Sequence, residues 1–459
     1  MIRTVFENAI NRIKASGFLK SVLSLSSGVV IGQIINTVGM PVIGRLYSAA
    51  DMGDYTLISA RANVLMAIAV LGMLTVFMLP EKDEESRELC RLVSISTIVI
   101  STISVFALYL LSPVWKLLKT EGITYGYALL IMWVYVIFST INNICYAYAN
   151  RLRLFKVLFW NPIIGASINI GLGILFGFLG WGFIGYTVAH IISMAVNIVH
   201  LILHANPFER IPVDKRKGYV NLLKEYRRFP KYQMPANLIQ NLGVQIPIEI
   251  MSSIFSTAVL GYYSMTDKIM SMPITLLATP INRVYYQEAS RRYQNGDDIA
   301  EFGFKIMETN IKIAIIPISI LMIFGRWIFA FVLGSQWEQS GVFAAVLGIY
   351  FLMAFCVSCL SGSFVIIGKS SWNLVCAVIN VLIGVLLFVI VKLFPNISAL
   401  TFLFIMASAF TLERIVEEGF FFVYMGLKLR RYLVFILKFI IIPFILAFGI
   451  QLLFNRFVA

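Results

Sequence analysis

Apolar stretches of about 20 residues or more recur along this chain from end to end, and they constrain its fold more than any other feature. A stretch of that length is what a helix needs to cross the hydrocarbon core of a bilayer. The longest interval between them, 205–231, is a basic linker that is too short for a folded aqueous domain. Because barrel strands would be shorter and would alternate in polarity, the sequence predicts an all-α polytopic membrane protein.

The apolar stretches define thirteen candidate spans. Charged residues make up only 13% of the chain, about half the share of a soluble protein, which supports the same class. The predicted spans are 18–44, 55–80, 91–112, 123–149, 157–180, 183–204, 232–255, 259–285, 306–333, 341–368, 371–394, 398–426 and 432–455.

The net charge of +14 is explained by membrane topology and does not require a nucleic-acid partner. Lys and Arg concentrate in the cytoplasmic segments of membrane proteins. With the N-terminus inside, 26 of the 37 Lys and Arg residues fall in cytoplasmic segments and 5 in outer ones. We therefore expect a cytoplasmic N-terminus, with residues 1–17 forming an amphipathic segment on the inner leaflet.

The sequence indicates that the chain consists of two repeated halves. Gln33 precedes Pro41 much as Gln240 precedes Pro247, and the sequence after each proline continues with a similar Gly-x-Tyr motif. Six helices per half make the repeat parallel, an arrangement typical of alternating-access transporters with the binding site between the halves. The predicted organisation is a first six-helix lobe (18–204), the linker (205–231), a second six-helix lobe (232–426) around a central cavity, and one additional C-terminal hydrophobic helix (432–455).

Several cations lie in or beside the predicted spans, where charge is costly and indicates function. Arg61 and Lys268 occupy nearly the same depth in the second and eighth spans. Arg and Lys are suitable ligands for phosphate, so these two residues, with Arg45 and Arg326, are the predicted cavity cations. For Arg45, which lies near a helix end, an orienting or snorkelling role stays equally open.

Acidic residues in the spans allow two interpretations. Glu249, Asp267 and Glu308 either bind a coupling proton or sodium ion or partner the cations. A second cluster, Glu413, Arg414, Glu417 and Glu418, is predicted to be a local network of charges on one helix. The sequence carries no Gly-x-x-x-x-Gly-Lys-Ser/Thr motif, so we expect no cofactor other than a coupling ion or the membrane potential itself.

Five segments carry a family resemblance. They are PVIGRLYSAADMGDYTLISA (41–60), MLPEKDEESREL (78–89), ANRLRLFK (149–156), EYRRFPKYQMPANLIQNLGVQIP (225–247) and LGYYSMTDKIMSMPITLL (260–277). In this order they resemble the bacterial polysaccharide (O-antigen repeat-unit) flippases of the multidrug/oligosaccharidyl-lipid/polysaccharide (MOP) superfamily. The resemblance covers about residues 20–425 and implies a two-lobed fold of twelve to fourteen helices.

The resemblance also implies a function. Such a protein is expected to move an undecaprenyl-pyrophosphate-linked oligosaccharide from the cytoplasmic to the outer leaflet of the bacterial inner membrane, for O-antigen or capsule synthesis, and not to be an enzyme. The expected partners are that lipid-linked substrate, membrane lipids, a polysaccharide polymerase and a chain-length regulator, with no nucleic acid. Two alternatives stay open: a multidrug exporter of the same superfamily, whose cavity would be dominated by acids, and a membrane polymerase, which would carry a large external catalytic loop.

Overall fold

The computed structural model describes residues 17–111, 125–212, 214, 216–369 and 371–458, and most of these residues are helical. The predicted amphipathic segment 1–17 lies outside this description except for Gly17. The helices are α1 (Gly17–Leu46), α2 (Ala49–Ala69), α3 (Asp83–Leu111), α4 (Tyr125–Arg151), α5 (Phe155–Phe178), α6 (Gly182–His204), α7 (Tyr219–Glu225), α8 (Met234–Ile250), α9 (Thr257–Met270), α10 (Thr279–Gln294), α11 (Ile299–Leu333), α12 (Glu338–Cys359), α13 (Ser363–Ile366), α14 (Ser371–Leu393), α15 (Ala399–Tyr424), α16 (Leu429–Ile436) and α17 (Ile442–Val458).

Short non-α turns join or extend several of these helices. The π-helical turns are Phe229–Gln233, Met251–Phe255, Ile274–Ala278 and Leu437–Ile441, and the 3₁₀ turns are Val76–Met78 and Ser335–Trp337. Within the described ranges the structure contains helices and connections and no strand. The predicted all-α class is confirmed.

Ten helical segments in the described residues are long and apolar enough to cross a membrane. They are Ser27–Leu46, Asp83–Leu111, Gly126–Arg151, Phe155–Phe178, Gly182–His204, Ile299–Leu333, Ser335–Ile366, Ser371–Leu393, Ala399–Tyr424 and Leu429–Gln451. The last of these corresponds to the predicted additional C-terminal helix.

Three of the thirteen predicted spans, 55–80, 232–255 and 259–285, are not among the ten apolar helical segments. The stretch 55–80 ends its α-helix at Ala69, because Leu71 and Gly72 adopt positive φ angles of 53° and 66°. The stretch 232–255 ends in a π-helical turn before Ser256, whose backbone is extended. The stretch 259–285 breaks after Met270 into a second π-helical turn.

The connection between α1 and α2 is shorter than the sequence suggests. The predicted spans leave residues 45–54 as the connection, but Asp51, Gly53 and Asp54 already belong to α2 and only Tyr47 and Ser48 separate the helices. Ser48 caps the helix: its Oγ accepts the backbone N–H of Asp51 at 3.1 Å, and the Asp51 carboxylate accepts the backbone N–H of Ser48 at 2.9 Å. This reciprocal capping starts α2 at Ala49, six residues before the predicted start of the span at residue 55.

The described chain divides into two compact units, and the division runs through α2. The first unit contains the residues up to Leu46 together with Arg61–Leu238. Within it, α1 packs on α5 through Gly28 and Gly32: a Cβ on Gly32 would lie 2.8 Å from the carbonyl oxygen of Pro162. The glycine spacing thus permits close backbone approach, as small residues do between membrane helices.

The linker packs against the N-terminal end of α3 inside the first unit. Glu88, which is only 4% exposed, accepts the backbone N–H groups of Lys217 and Gly218, each at 2.9 Å. Lys217 pairs with Glu85 at 3.1 Å and with Glu225 at 2.7 Å. These contacts make part of the linker a folded element.

The second unit contains Tyr47–Ala60 and the chain from Ile239 onward. Its helices α11 and α12 approach through Gly325 and Gly341, where a Cβ on either residue would meet the backbone of the other helix. An aromatic group including Phe304, Phe422 and Phe435 packs α11, α15 and α16 together. The lobe boundaries and the central cavity stay predictions.

Candidate functional site

The start of α2 and the start of α9 cross at two glycines of the second unit. A Cβ on Gly53 would collide with the backbone carbonyl of Thr257, and a Cβ on Gly261 would collide with the backbone carbonyl of Ala49. Thr257 lies as many positions after Ala49 as Gly261 lies after Gly53. The two contacts are therefore equivalent and reciprocal. Two helices related by a local two-fold axis make contacts of this kind, which supports the sequence repeat.

Lys268 lies on α9 beyond this crossing, in contact with an aromatic ring. Its Nζ is 5.4 Å from the centroid of the Tyr55 ring on α2, within the range of a cation–π interaction. Both side chains are partly buried. Sequence analysis did not predict Tyr55 as the neighbour of this cation. The signal that could have identified it is the repeated Gly-x-Tyr motif, to which Tyr55 belongs.

Arg61 lies on α2, and its side chain is partly buried. It belongs to the first unit, whereas Lys268 belongs to the second. The reciprocal glycine contacts also refine the predicted match between these two cations. With Gly53 equivalent to Gly261, Lys268 corresponds to Ala60 and Arg61 to Ile269, so the cations are offset by one residue, or about 100° around a helix.

The other two predicted cations are exposed. Arg45 lies in the last turn of α1, where a positive charge interacts favourably with the helix dipole. Arg326 on α11 pairs with Glu338 at the start of α12, with Nη2 3.1 Å from Oε2 and both side chains 46% exposed. An exposed pair of this kind contributes little to stability.

The three predicted acids lie on separate helices of the second unit. Glu249 on α8 accepts a hydrogen bond from the Gln245 amide at 2.7 Å. Asp267 precedes Lys268 on α9, and Glu308 lies on α11; both are partly buried.

The acidic cluster on α15 is organised around Arg414. Its Nη1 donates to Glu417 at 2.9 Å and its Nε lies 3.4 Å from Glu413, so the arginine bridges two acids of its own helix. The Cys376 thiol and the Glu413 and Glu417 carboxylates lie within 4.8 Å of one another. The two carboxylates therefore share the one positive charge of the Arg414 guanidinium.

A family of known proteins matches most of this chain. The profile described as "Polysaccharide biosynthesis protein" matches residues 42–342, which is more than half of the sequence. No individually curated protein matches the chain.

Several solved structures share the fold. The lipid II flippase MurJ in an inward closed conformation matches with a TM-score of 0.66 at 12% identity, covering 95% of this chain and 98% of that one. A MOP superfamily transporter from Pyrococcus furiosus matches with a TM-score of 0.54 at 15% identity, covering 90% and 96%. A multidrug resistance MATE transporter of the same superfamily, in an outward-facing conformation, matches with a TM-score of 0.52 at 16% identity, covering 90% and 96%.

The identities are low, so these structures establish the fold, while the profile match establishes the family. The ten apolar helices and the transporter fold make the chain a multi-pass membrane protein. This protein belongs to the polysaccharide biosynthesis protein family and has the fold of the MOP superfamily transporters.

Proposed function

We propose that this protein is a flippase that moves an undecaprenyl-pyrophosphate-linked oligosaccharide from the cytoplasmic to the outer leaflet for the synthesis of a surface polysaccharide. The family membership supplies the link to polysaccharides, and the fold is that of proteins that transport or flip their substrates. The proposed location is the bacterial inner membrane, with the N-terminus in the cytoplasm.

The observation that carries the proposal is the placement of Lys268. A partly buried ammonium group on a helix of a membrane protein is costly, and here it is held over the Tyr55 ring. A cation in that position suits a pyrophosphate headgroup, which a neutral cavity would leave unsolvated. A pocket for hydrophobic cations would call for acids instead.

Arg61 is the second proposed ligand of the pyrophosphate, with Arg45 and Arg326 in lesser roles because both are exposed. Outward movement of an anionic headgroup is electrically downhill when the cell interior is negative, by about 2.3 kcal/mol per charge for each 100 mV. The membrane potential, or a proton or sodium ion bound at Glu249, Asp267 or Glu308, is the proposed source of energy.

Complementation tests the proposal. The gene is deleted in its own host and replaced by the wild type or by Arg61→Ala, Lys268→Ala or Lys312→Ala at matched abundance, and surface polymer and lipid-linked repeat units are measured. Lys312 is the matched control, because its cation is exposed and lies 5.9 Å from the Phe439 ring centroid. We expect the deletion and the first two variants to lose surface polymer and accumulate repeat units on the inner leaflet.

Other results identify the alternatives. Intact polysaccharide export with raised drug sensitivity in the deletion strain would replace the proposal with a multidrug exporter. Repeat units that reach the outer leaflet but stay unpolymerised would indicate a polymerase.

A further inference from the structure

Helix α4 carries a stripe of polar side chains that the proposed pyrophosphate site does not use. Its members, here called the polar arc, are Tyr135, Ser139, Asn142, Asn143, Tyr146 and Asn150. At 100° per residue they fall within an arc of about 100° and extend over about 22 Å of the helix. Such a stripe on a largely apolar helix of 27 residues is costly in hydrocarbon and therefore faces protein or ligand.

The contacts of the polar arc place it against other helices of the first unit. Ser139 Oγ and Asn143 Nδ2 lie 3.6 Å and 3.7 Å from the Met66 sulfur on α2. Tyr135, which is 7% exposed, stacks on His190 of α6 with ring centroids 5.5 Å apart and planes at 10°. The arc is therefore directed inward, toward α2 and α6.

The polar arc is under-satisfied in hydrogen bonds. A thioether is a weak acceptor, and it is the partner found for both the Ser139 hydroxyl and the Asn143 amide. The Asn142 Oδ1 atom is buried and has no hydrogen-bond partner within the described residues. Buried polar groups ordinarily have full partners, so these side chains have hydrogen-bonding capacity left for a ligand.

The chemistry of the arc limits the class of ligand that it could bind. None of its six members is charged, which disfavours a phosphate or a cation as the ligand. The side-chain amides and hydroxyls both donate and accept, as sugar hydroxyls do. The stacked Tyr135 and His190 rings close one end of the arc.

We propose that the polar arc of α4 binds the oligosaccharide of the lipid-linked substrate. This inference rests on the proposed flippase function and assigns the sugar part of the substrate to neutral side chains within the first unit. The Ser139, Asn142 and Asn143 groups exchange their weak or missing partners for sugar hydroxyls.

The test compares two lipids on the full-length protein in lipid nanodiscs. The probes are the lipid-linked repeat unit extracted from the host and undecaprenyl diphosphate without sugar, with Kd measured for each. The variant is Ser139→Ala combined with Asn143→Leu. The control is Thr140→Val, because Thr140 is a fully buried neighbour on the same helix at the same depth but outside the arc.

We expect the double variant to bind the repeat unit about tenfold more weakly, as the loss of two ordinary hydrogen bonds predicts, and to bind undecaprenyl diphosphate unchanged. Thr140→Val should match the wild type for both probes. Equal weakening of both probes, or no weakening of either, would overturn the subsite. If the double variant does not fold, Asn142→Leu is measured against the same criteria.

The same experiment separates this inference from the function on which it rests. A wild-type protein that binds undecaprenyl diphosphate but gains nothing from the sugar overturns the subsite alone. A wild-type protein that binds neither lipid overturns the proposed function as well.

Discussion

Gly53 and Gly261 make reciprocal contacts. Gly53 lies against the backbone of Thr257, four residues before Gly261, and Gly261 lies against the backbone of Ala49, four residues before Gly53. The relationship fixes the register of α2 on α9 more closely than side-chain packing could, because backbone meets backbone. It also explains why Tyr55, two residues after its glycine, reaches the Lys268 side chain.

Alanine at either glycine is expected to destabilise the protein. The added Cβ of Gly53→Ala or Gly261→Ala would collide with a backbone carbonyl, so the helices must separate, at a cost of about 1–3 kcal/mol for overpacking. Thermal unfolding in detergent should show a lowered Tm. The control is Gly171→Ala on α5, whose Cβ would meet nothing within 4 Å; its Tm should stay level or rise, and a fall equal to that of Gly53→Ala would contradict the argument.

The Lys268–Tyr55 contact makes a prediction about substrate binding. If Lys268 binds pyrophosphate, Lys268→Met should weaken binding of undecaprenyl diphosphate by tenfold or more, since a charge-assisted bond is lost. Tyr55→Phe keeps the ring and should behave as wild type, whereas Tyr55→Leu should cost less than the lysine variant because it removes only a cation–π contact. Equal losses for Lys268→Met and Tyr55→Leu would indicate a structural pair.

Arg326 is expected to be the least important of the predicted cations. It forms an exposed pair with Glu338, so Arg326→Gln should change the free energy of unfolding by less than about 1 kcal/mol. Transport by this variant should stay close to that of the wild type in the complementation assay. If transport fell as much as in Lys268→Ala, Arg326 would be a ligand of the substrate and the prediction would be wrong.

Glu88 is predicted to hold the linker in place. Glu88→Gln offers one oxygen where two backbone N–H groups, at Lys217 and Gly218, need acceptors, so we expect about 1–3 kcal/mol of destabilisation. Thermal unfolding measures the effect. Glu81→Gln makes the same charge change at an exposed carboxylate and should leave Tm unchanged. If both variants lowered Tm equally, the linker contact would not be the cause of the destabilisation.

The linker should loosen at alkaline pH. Hydrogen bonds to Glu225 and Glu85 raise the pKa of Lys217 above its ordinary value of 10.5, and burial, with a hydrogen bond to Glu85, raises the pKa of Tyr226 to about 12. Both groups keep their protons longer in the folded state, so their stabilisation is complete below about pH 10 and is lost as the pH rises toward 12.

A fluorescent label tests this pH dependence. It is attached to Asp214→Cys, since residue 214 is exposed while the five native cysteines are buried. The mobility of the label should rise between pH 10 and 12, and Lys217→Met should already be mobile at pH 8. Mobility that is flat across this range in the wild type would show that these contacts do not hold the linker.

Sequence alone determined the membrane class, because spans of about 20 apolar residues admit few folds once hydrogen bonds must be made inside lipid. It also predicted the repeat and the cations at Arg61 and Lys268, since a charge in an apolar run is conspicuous without coordinates. Backbone geometry decided where α2 begins and ends. The Ser48–Asp51 cap sets its start and the positive φ angles at Leu71 and Gly72 set its end, and hydropathy predicts neither boundary.

Tertiary structure decided the partners. The Tyr55 ring beside Lys268, the Glu88 carboxylate beneath the linker and the Met66 sulfur against Ser139 and Asn143 all join residues that are distant in the chain. Periodicity assigns a residue to a face of its helix, but the residue that it meets depends on how the helices pack. For this reason the sequence predicted the charges of the candidate site, while the neutral polar arc on α4 emerged only from the packed structure.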